Sequence, residues 1–376
     1  MNGGHGMEGV WTLRSLAERV EGRVIGDAAL LVEGVASPSK ARRGEIVCLW
    51  NAFDTASGQK TDSPEPSPEA VNSSEGVLFL AAPEFFARHA DASGVAVEHP
   101  KKVFPLVLAL FSRALRSGAQ CGIHPTAVVS PKASVAPSAW IGPLCIIEEG
   151  AVIEERAFLH GRVFIGRDCC VGAETTVEPG AVLFESVRTG RRCLIHSNAV
   201  LGCDGFGITP SAGEAPPEKI PQIGGVVLGD DVELGVCSTV DRGTLDDTVI
   251  ANGTKVDNHV HIAHNVRIGR NCILVAMTGI AGSAVLEDNV IMAAGSGVKE
   301  HTRIGKGATV AAKGGAIKDV PPGEVVSGFP ARPHRENFRV QAALQRLPET
   351  LSRVKKLEKR LDALLPDGSG GSGAGE

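Results

Sequence analysis

The amino-acid sequence predicts a mainly β protein whose central part is a parallel β-helix, preceded by a small α/β domain and followed by α-helices. Three observations support this prediction. Aliphatic residues recur at every sixth position over most of the chain, aromatic residues are scarce (12 Phe, 3 Trp and no Tyr in 376 residues), and the last segment changes to a spacing of three and four. A period of six fits neither an α-helix nor an alternating strand. It is typical of coils built from three hexapeptides, each pointing one aliphatic side chain inward.

Residues 1–117 are predicted to form the α/β domain. Its expected elements are three strands and one helix, at residues 28–35, 45–50, 76–81 and 104–116. Residues 54–75 are polar and rich in Pro and Ser, so we interpret them as an insertion into this domain.

The β-helix is predicted over residues 118–330. Counted in sixes from Ile123 to Leu201, 13 of 14 positions are aliphatic, and the period resumes at Leu228 and, four residues out of phase, at Ile250. Equivalent residues of successive coils should stack about 4.8 Å apart. The first break in the period, residues 203–227, is expected to be a loop on the binding face. Glycines are expected to allow the chain to turn at the corners, at Gly142, Gly166, Gly229, Gly269 and Gly305.

Residues 331–365 are predicted to be helical, because Leu and Val recur there at steps of three and four. Pro348 is expected to divide this segment into two helices. Residues 332–360 carry nine Lys or Arg against three Glu. The spacing leaves open whether these helices are a solvated coiled-coil end or a docking surface for an acidic partner. Residues 366–376, rich in Gly and Ser, are expected to be a disordered tail.

Composition excludes several classes of protein. The formal charge is −5, so no basic excess points to nucleic acid. The N-terminus lacks a secretory pattern and no long apolar run occurs, which predicts a cytoplasmic protein with no transmembrane segment. The nine cysteines contain no CxxC pair, so neither a disulfide framework nor a thiolate metal site is indicated.

The candidate site is a histidine-rich run at 257–265. Because equivalent residues of successive coils share one face, His264, Gly282 and the region of His301 are predicted to lie on one stripe. A neutral imidazole at His264, oriented by Asp257, could accept a proton, and the N–H of Gly282 could stabilise an oxyanion. Spacing alone leaves two alternatives open, a zinc site of three histidines across a subunit interface and a stack of structural surface histidines.

Four runs of sequence resemble a known family: DGFG at 204–207, KIPQIG at 219–224, STVDRGTLDDTVI at 238–250 and DNHVHIAHNVRIG at 257–269. They are similar to the bacterial UDP-3-O-(3-hydroxyacyl)glucosamine N-acyltransferases of lipid A synthesis, the LpxD family, and the resemblance covers nearly the whole chain. It implies a left-handed β-helix, against the usual right-handed crossover rule, and a homotrimer with active sites between subunits. It also implies transfer of a 3-hydroxyacyl chain from acyl carrier protein to the 2-amino group of a UDP-3-O-acylglucosamine, with no metal and no other cofactor.

Carried over residue by residue, the resemblance implies that His264 is the catalytic histidine, Asp257 its supporting aspartate, His301 a second active-site histidine and Gly282 the oxyanion glycine. Substrate contacts are expected at three further positions, Asp204, Phe206 and Asn258.

The resemblance also favours docking of the acidic carrier protein on the basic helices. The residues expected to carry it are Arg353, Lys355, Lys356 and Lys359.

The sequence departs from the family at the nucleotide. The family stacks uracil between a Phe and a Tyr, whereas Cys48 stands at the position of the Phe and the chain has no Tyr. Trp50 and Phe53 are the candidates for a replacement contact, and Trp50 could equally pack inside the domain. The insertion 54–75 could also have remodelled the pocket.

Three alternatives to this function remain at the level of sequence. The first is a related hexapeptide acyltransferase acting on a different nucleotide amino sugar. The second is a zinc-dependent carbonic-anhydrase-like protein, and the third is a non-catalytic trimeric scaffold.

Overall fold

The computed structural model describes residues 11–49, 76–111, 121–209, 216–328 and 331–362. The chain divides into two compact units, Met1–Gly118 and Ala119–Glu376. The positions predicted for Trp50, Phe53, the insertion 54–75 and the tail 366–376 lie outside the described residues, so the expectations stated for them stay predictions.

The N-terminal unit contains a five-stranded sheet. Its strands, in sheet order, are Arg23–Ile25, Ser93–Ala96, Leu78–Ala81, Glu45–Cys48 and Gly34–Ala36. The first pair is antiparallel and the others are parallel. A separate antiparallel pair joins Trp11–Thr12 to Leu31–Val32. The helices are α1 (Leu13–Arg19), α2 (Pro83–Arg88) and α3 (Pro100–Phe111).

Several predicted elements of this unit differ from the structure. The run 28–35 is not one strand but two short ones, because its two halves pair with different neighbours. The predicted start of the helix at residue 104 is wrong, since α3 begins at Pro100, a residue well suited to a first helical turn. Helix α1 escaped the sequence analysis although Thr12 and Ser15 form a reciprocal capping box at its start.

The second unit is a parallel β-helix with three sheets of short strands. Sheet 1 has 11 strands, Gly122–Ile123, Trp140–Ile141, Phe158–Leu159, Thr176–Val177, Leu194–Ile195, Glu233–Leu234, Lys255–Val256, Ile273–Leu274, Ile291–Met292, Thr309–Val310 and Val325–Val326. Sheet 2 has ten, Val128–Val129, Ile146–Ile147, Phe164–Ile165, Val182–Leu183, Val200–Cys203, Thr239–Asp241, His261–Ile262, Gly279–Ile280, Gly297–Val298 and Gly315–Ala316. Sheet 3 has nine, Ser134–Val135, Val152–Ile153, Cys170–Val171, Val187–Arg188, Val226–Leu228, Thr248–Ile250, Arg267–Ile268, Val285–Leu286 and Arg303–Ile304.

The inward positions of these strands form one continuous core. Each strand pairs in parallel with the strand one coil further along, as Ile141 does with Leu159. Ile141, Ile147 and Ile153, one from each sheet, are at most 1% exposed. Thr189 is the one non-aliphatic residue among the 14 positions counted from Ile123 to Leu201. It also lies inward, where its hydroxyl accepts the N–H of Gly172 at 3.1 Å. The mainly β class and the parallel β-helix of hexapeptide repeats are confirmed.

The expected role of the corner glycines needs correction. None of the five predicted glycines has a positive φ; the left-handed positions include Arg162 (φ 61°) and Asn198 (φ 58°) instead. The predicted glycines are required for space, because a Cβ at Gly142 would lie 2.8 Å from the backbone carbon of His160 on the next coil. They allow close stacking of coils rather than an unusual backbone turn.

In the break at 203–227, the short strands Ile208–Thr209 and Glu218–Lys219 pair in antiparallel fashion. After the β-helix, α4 runs unbroken over His334–Asp362, with Pro348 inside it. The predicted division into two helices is therefore wrong. Proline removes a single N–H donor, and α4 is exposed along its whole length, so water can satisfy the carbonyl that loses its partner.

A histidine clamped between two glutamates gives the β-helix a pH-dependent contact. His196 Nδ1 and Nε2 lie 3.1 Å from Glu178 Oε2 and Glu233 Oε1, on the two neighbouring coils. Burial opposes the charged ring, but the hydrogen bonds to Glu233 and Glu178 outweigh it and raise the pKa of His196. A raised histidine pKa stabilises the fold below the unfolded pKa of about 6.5, and this stabilisation disappears as pH rises through the folded value.

We therefore expect His196→Gln to lower the free energy of unfolding more at about pH 5.5 than at about pH 8.5. Urea unfolding at both pH values measures the difference. His124→Gln is the control, because His124 is half-buried like His196 and its Nδ1 contacts the Thr126 hydroxyl. An equal loss at both pH values would show that the clamp is not charged.

Candidate active site

His264 lies at the corner that follows the strand His261–Ile262, as the spacing predicts, and it is half-buried. Its ring fits between two glycines. A Cβ at Gly205, in the loop 203–227, would lie 2.5 Å from His264 Cβ, and a Cβ at Gly282, one coil on, would lie 2.8 Å from Nε2 and Cε1 of the ring. Only residues without a side chain leave room for the imidazole here. Gly205 was missed by the sequence analysis, although it stands in the DGFG run.

His301 lies at the same corner, one column away from His264. The N–H of Ser283 donates to His264 O at 2.9 Å, and the N–H of His301 donates to Gly282 O at 3.2 Å. This repeated pattern places Glu300 in the column of His264 and Gly282, and His301 in the neighbouring column with Ser283. The predicted stripe thus contains His264 and Gly282, with His301 beside it.

Some corner N–H groups at positions equivalent to Gly282 have an acceptor on a neighbouring coil, and others have none among the described residues. The N–H of Val236 donates to Asn258 Oδ1 and that of Arg270 to Asp288 Oδ1, both at 2.7 Å. Within the described part of the chain, the N–H of Gly282 has no such acceptor. It is therefore available to a ligand, next to the imidazole of His264.

Asp257 lies at the preceding corner. Its Oδ1 accepts the N–H of Asn258 at 2.7 Å and its Oδ2 accepts the N–H of Ala276 at 3.0 Å. The strand His261–Ile262 separates it from His264, so one chain does not bring the two side chains together. Asp257 and Asn258 both bond the backbone of neighbouring turns here, and their roles towards His264 and substrate stay predictions.

A second carboxylate, Asp241, lies near the histidines and was not singled out from the sequence. Its side chain is 7% exposed, and its Oδ2 is 3.8 Å from His261 Nε2. Burial raises the pKa of Asp241, against the opposing effects of a hydrogen bond from Cys203 and of the nearby His261 and His264 side chains. The Cys203 thiol donates to Asp241 Oδ1 at 3.1 Å, and burial raises the pKa of Cys203 to about 12. The STVDRG run contains Asp241 and could have indicated it.

Ion pairs and a hydrogen bond between side chains and backbone hold the loop 203–227 at its base. Asp204 pairs with Lys219 across the loop. Arg242, whose side chain is 8% exposed, donates from Nε to Gly202 O at 2.7 Å and pairs with Glu185 Oε1 at 2.8 Å. Asp204 is therefore tied up within the loop.

The predicted substrate residue Phe206 is next to Gly205 and 86% exposed. The loop therefore presents an aromatic ring to solvent one residue from the glycine that contacts His264.

The predicted carrier-docking residues are all exposed on α4. They are Arg353, Lys355, Lys356 and Lys359. The apolar side chains of α4 are exposed as well, because no residue of this helix is buried.

Between residues 11 and 362, excluding the gaps given above, no three His, Cys, Asp or Glu side chains are grouped to hold a metal ion. None of the helices described there is both long and apolar enough to span a bilayer.

Comparison with known proteins identifies close relatives. The family model for bacterial transferase hexapeptide (six repeats) matches residues 247–282. The UDP-3-O-acylglucosamine N-acyltransferase of Methylobacterium sp. (strain 4-46) is 42% identical over 326 residues, covering 85% of this chain and 88% of that protein. The protein of the same name from Herminiimonas arsenicoxydans is 36% identical over 355 residues, covering 94% of this chain and 97% of its own.

Solved structures of acyltransferases are also similar. The UDP-N-acetylglucosamine acyltransferase of Arabidopsis is 27% identical with a TM-score of 0.49, over 55% of this chain and 71% of that one. The UDP-N-acetylglucosamine O-acyltransferase of Moraxella catarrhalis is 28% identical with a TM-score of 0.44, over 63% and 91%. On the identity and coverage of the Methylobacterium and Herminiimonas relatives, the chain belongs to the UDP-3-O-acylglucosamine N-acyltransferase family.

Proposed function

We propose that this protein is an N-acyltransferase of lipid A synthesis, acting in the cytoplasm. It moves a 3-hydroxyacyl chain from acyl carrier protein to the 2-amino group of a UDP-3-O-acylglucosamine. The single observation that supports this chemistry is the imidazole of His264 beside an N–H of Gly282 that no acceptor in the described chain occupies. A base next to an oxyanion donor is what acyl transfer requires.

The proposed reaction is a direct transfer. The sugar amine attacks the thioester carbonyl carbon, His264 takes a proton from the amine, and the N–H of Gly282 stabilises the negative oxygen of the tetrahedral intermediate. The C–S bond then breaks, and His264 returns the proton to the thiolate of the carrier protein. The Cys203 thiol, with a pKa of about 12, stays protonated at neutral pH and is no nucleophile. The proposal uses no metal and no other cofactor.

The test is an acylation assay followed by mass spectrometry, with a panel of acylated carrier proteins and UDP-3-O-acylglucosamine. Transfer that persists in chelator supports the proposal over a zinc mechanism. Loss of transfer in chelator and its return with zinc would overturn the direct mechanism.

A related acyltransferase for a different nucleotide amino sugar is the second candidate. Cys48 packs on the hydrophobic core of the N-terminal unit, where the family stacks an aromatic ring on uracil. Product formed from another nucleotide amino sugar, and not from UDP-3-O-acylglucosamine, would favour it.

We further propose that the protein works as a homotrimer and that α4 binds the acidic carrier protein. Reversing the charge of Arg353, Lys355, Lys356 and Lys359 together should raise KM for the acylated carrier severalfold and leave KM for the sugar unchanged. Added salt should reproduce the effect, because exposed charge pairs are screened.

Reversing four exposed residues outside α4, Arg14, Lys40, Lys101 and Lys102, controls for net charge, and deleting residues 366–376 should have no effect. Equal changes in both KM values would point to a role in trimer formation instead.

A further inference from the structure

We propose that Asn265, held in place by Thr244 and Gln222, is the positioning residue that orients the His264 ring and decides which ring nitrogen carries the proton. This inference rests on the proposed function only in taking His264 as the base. The hydrogen bonds that support it are made by residues of this chain alone.

The orientation of the Asn265 amide follows from its neighbours. Thr244 N–H donates to Asn265 Oδ1 at 2.7 Å, and Asn265 Nδ2 donates to the Thr244 hydroxyl at 3.0 Å. A backbone N–H can only donate, so Oδ1 must face Thr244. The amide nitrogen is then left facing His264 Nδ1, at 3.0 Å.

A second layer holds the first. The Thr244 hydroxyl donates to Gln222 Oε1 at 2.9 Å, and Gln222 Nε2 donates to Ile220 O at 3.0 Å. Gln222 is 6% exposed, so water does not compete freely for these bonds. Gln222 belongs to the loop 203–227, which also contacts the ring at Gly205. The loop therefore controls both the position of the ring and, through Thr244, the residue that bonds Nδ1.

This arrangement has a chemical consequence. Because Asn265 donates to Nδ1, the neutral ring carries its proton on Nε2, the nitrogen beside Gly282. To take a proton from an amine, Nε2 must be free and Nδ1 must carry the proton. Asn265 then has to turn its amide over and present Oδ1 to Nδ1–H, losing the bond from Thr244 N–H. The Thr244 hydroxyl can donate its single hydrogen to Oδ1 in that state, and it then gives up its bond to Gln222 Oε1.

The substitution Asn265→Asp keeps the position of the side chain but changes which nitrogen of His264 carries the proton. A carboxylate accepts from Thr244 N–H and from Nδ1–H at once, so no turn is needed. The ¹⁵N chemical shifts of His264, measured in the full-length protein without substrate, should show the proton moving from Nε2 to Nδ1. A proton that stays on Nε2 in this variant would overturn the proposal.

Thr244→Val removes the hydroxyl and keeps the backbone donor. We expect kcat to fall about tenfold, the rate equivalent of one neutral hydrogen bond, with both KM values within about twofold. Thr254→Val is the matched control. Its buried hydroxyl also makes two hydrogen bonds, to Gly269 O at 2.8 Å and from Cys272 N at 3.1 Å, at a different corner. It should lower the melting temperature and leave kcat and the His264 shifts unchanged.

Equal losses of kcat in the two threonine variants would reduce Thr244 to a structural role and overturn the proposal. The NMR measurement needs no turnover, so it tests the link between Asn265 and the His264 proton separately from the proposed function. If His264 proved not to be the base, the proposed function would fail while the link between Asn265 and the His264 proton could still be observed.

Discussion

His264→Ala is expected to abolish N-acylation while leaving the fold intact. The side chain is half-buried at a corner and contributes nothing to the inward stack, so its removal leaves the core unchanged. Loss of a general base typically costs about 10²–10⁴-fold in rate. Turnover measured by mass spectrometry, beside a thermal unfolding curve, separates the two effects.

His124→Ala, in the first coil, is the control for loss of a half-buried imidazole. It should retain full activity and the same melting temperature as His264→Ala. Activity of His264→Ala above about a tenth of wild type would contradict the assignment of the base.

Gly205→Ala is expected to lower kcat strongly. The added Cβ would lie 2.5 Å from His264 Cβ and 2.8 Å from Cδ2, so the ring or the loop must move. A displacement of about 1 Å at a reacting group can cost about 10²-fold in rate. We expect kcat to fall by that order, with KM for the carrier protein little changed, in steady-state assays that vary each substrate.

Gly328→Ala makes the same chemical change where no atom of the described residues lies within 4 Å of the new Cβ, and it should be silent. A Gly205→Ala enzyme within about threefold of wild type would mean that the ring tolerates displacement, and would remove the loop from the catalytic geometry.

The β-helix could be predicted because its rule is local. Each hexapeptide contributes one inward side chain. A polar residue at that position loses its hydrogen bonds to water and is unfavourable unless a neighbour bonds to it, as the N–H of Gly172 does to the Thr189 hydroxyl. The same six-residue period placed His264 and Gly282 at one corner, because each corner lies a fixed number of residues after an inward residue. Left-handed turn residues such as Arg162 could not be distinguished from other polar corner residues by spacing.

Contacts outside the period could not be predicted. The path of the loop 203–227 has no repeat, so nothing in the spacing places Gly205 or Gln222 against the corner of His264. The bonds of Asp257 to the N–H of Asn258 and Ala276 are equally invisible, because a carboxylate at a corner can face the backbone or a histidine. Pro348 shows that a proline does not always predict the end of a helix, because an exposed helix can lose one hydrogen bond and continue.

The pairing of every strand with the next coil also determines how the second unit unfolds. Coils interact mainly with their neighbours, so the second unit behaves as a one-dimensional array whose ends open first. Among the described residues, the terminal strands Gly122–Ile123 and Val325–Val326 have a partner on one side only, and Ile123 is 49% exposed. Amide exchange should therefore be fastest there and slow progressively towards the interior. The strand His261–Ile262 has three further strands of sheet 2 beyond it, so fraying of the last coil does not reach the corner of His264.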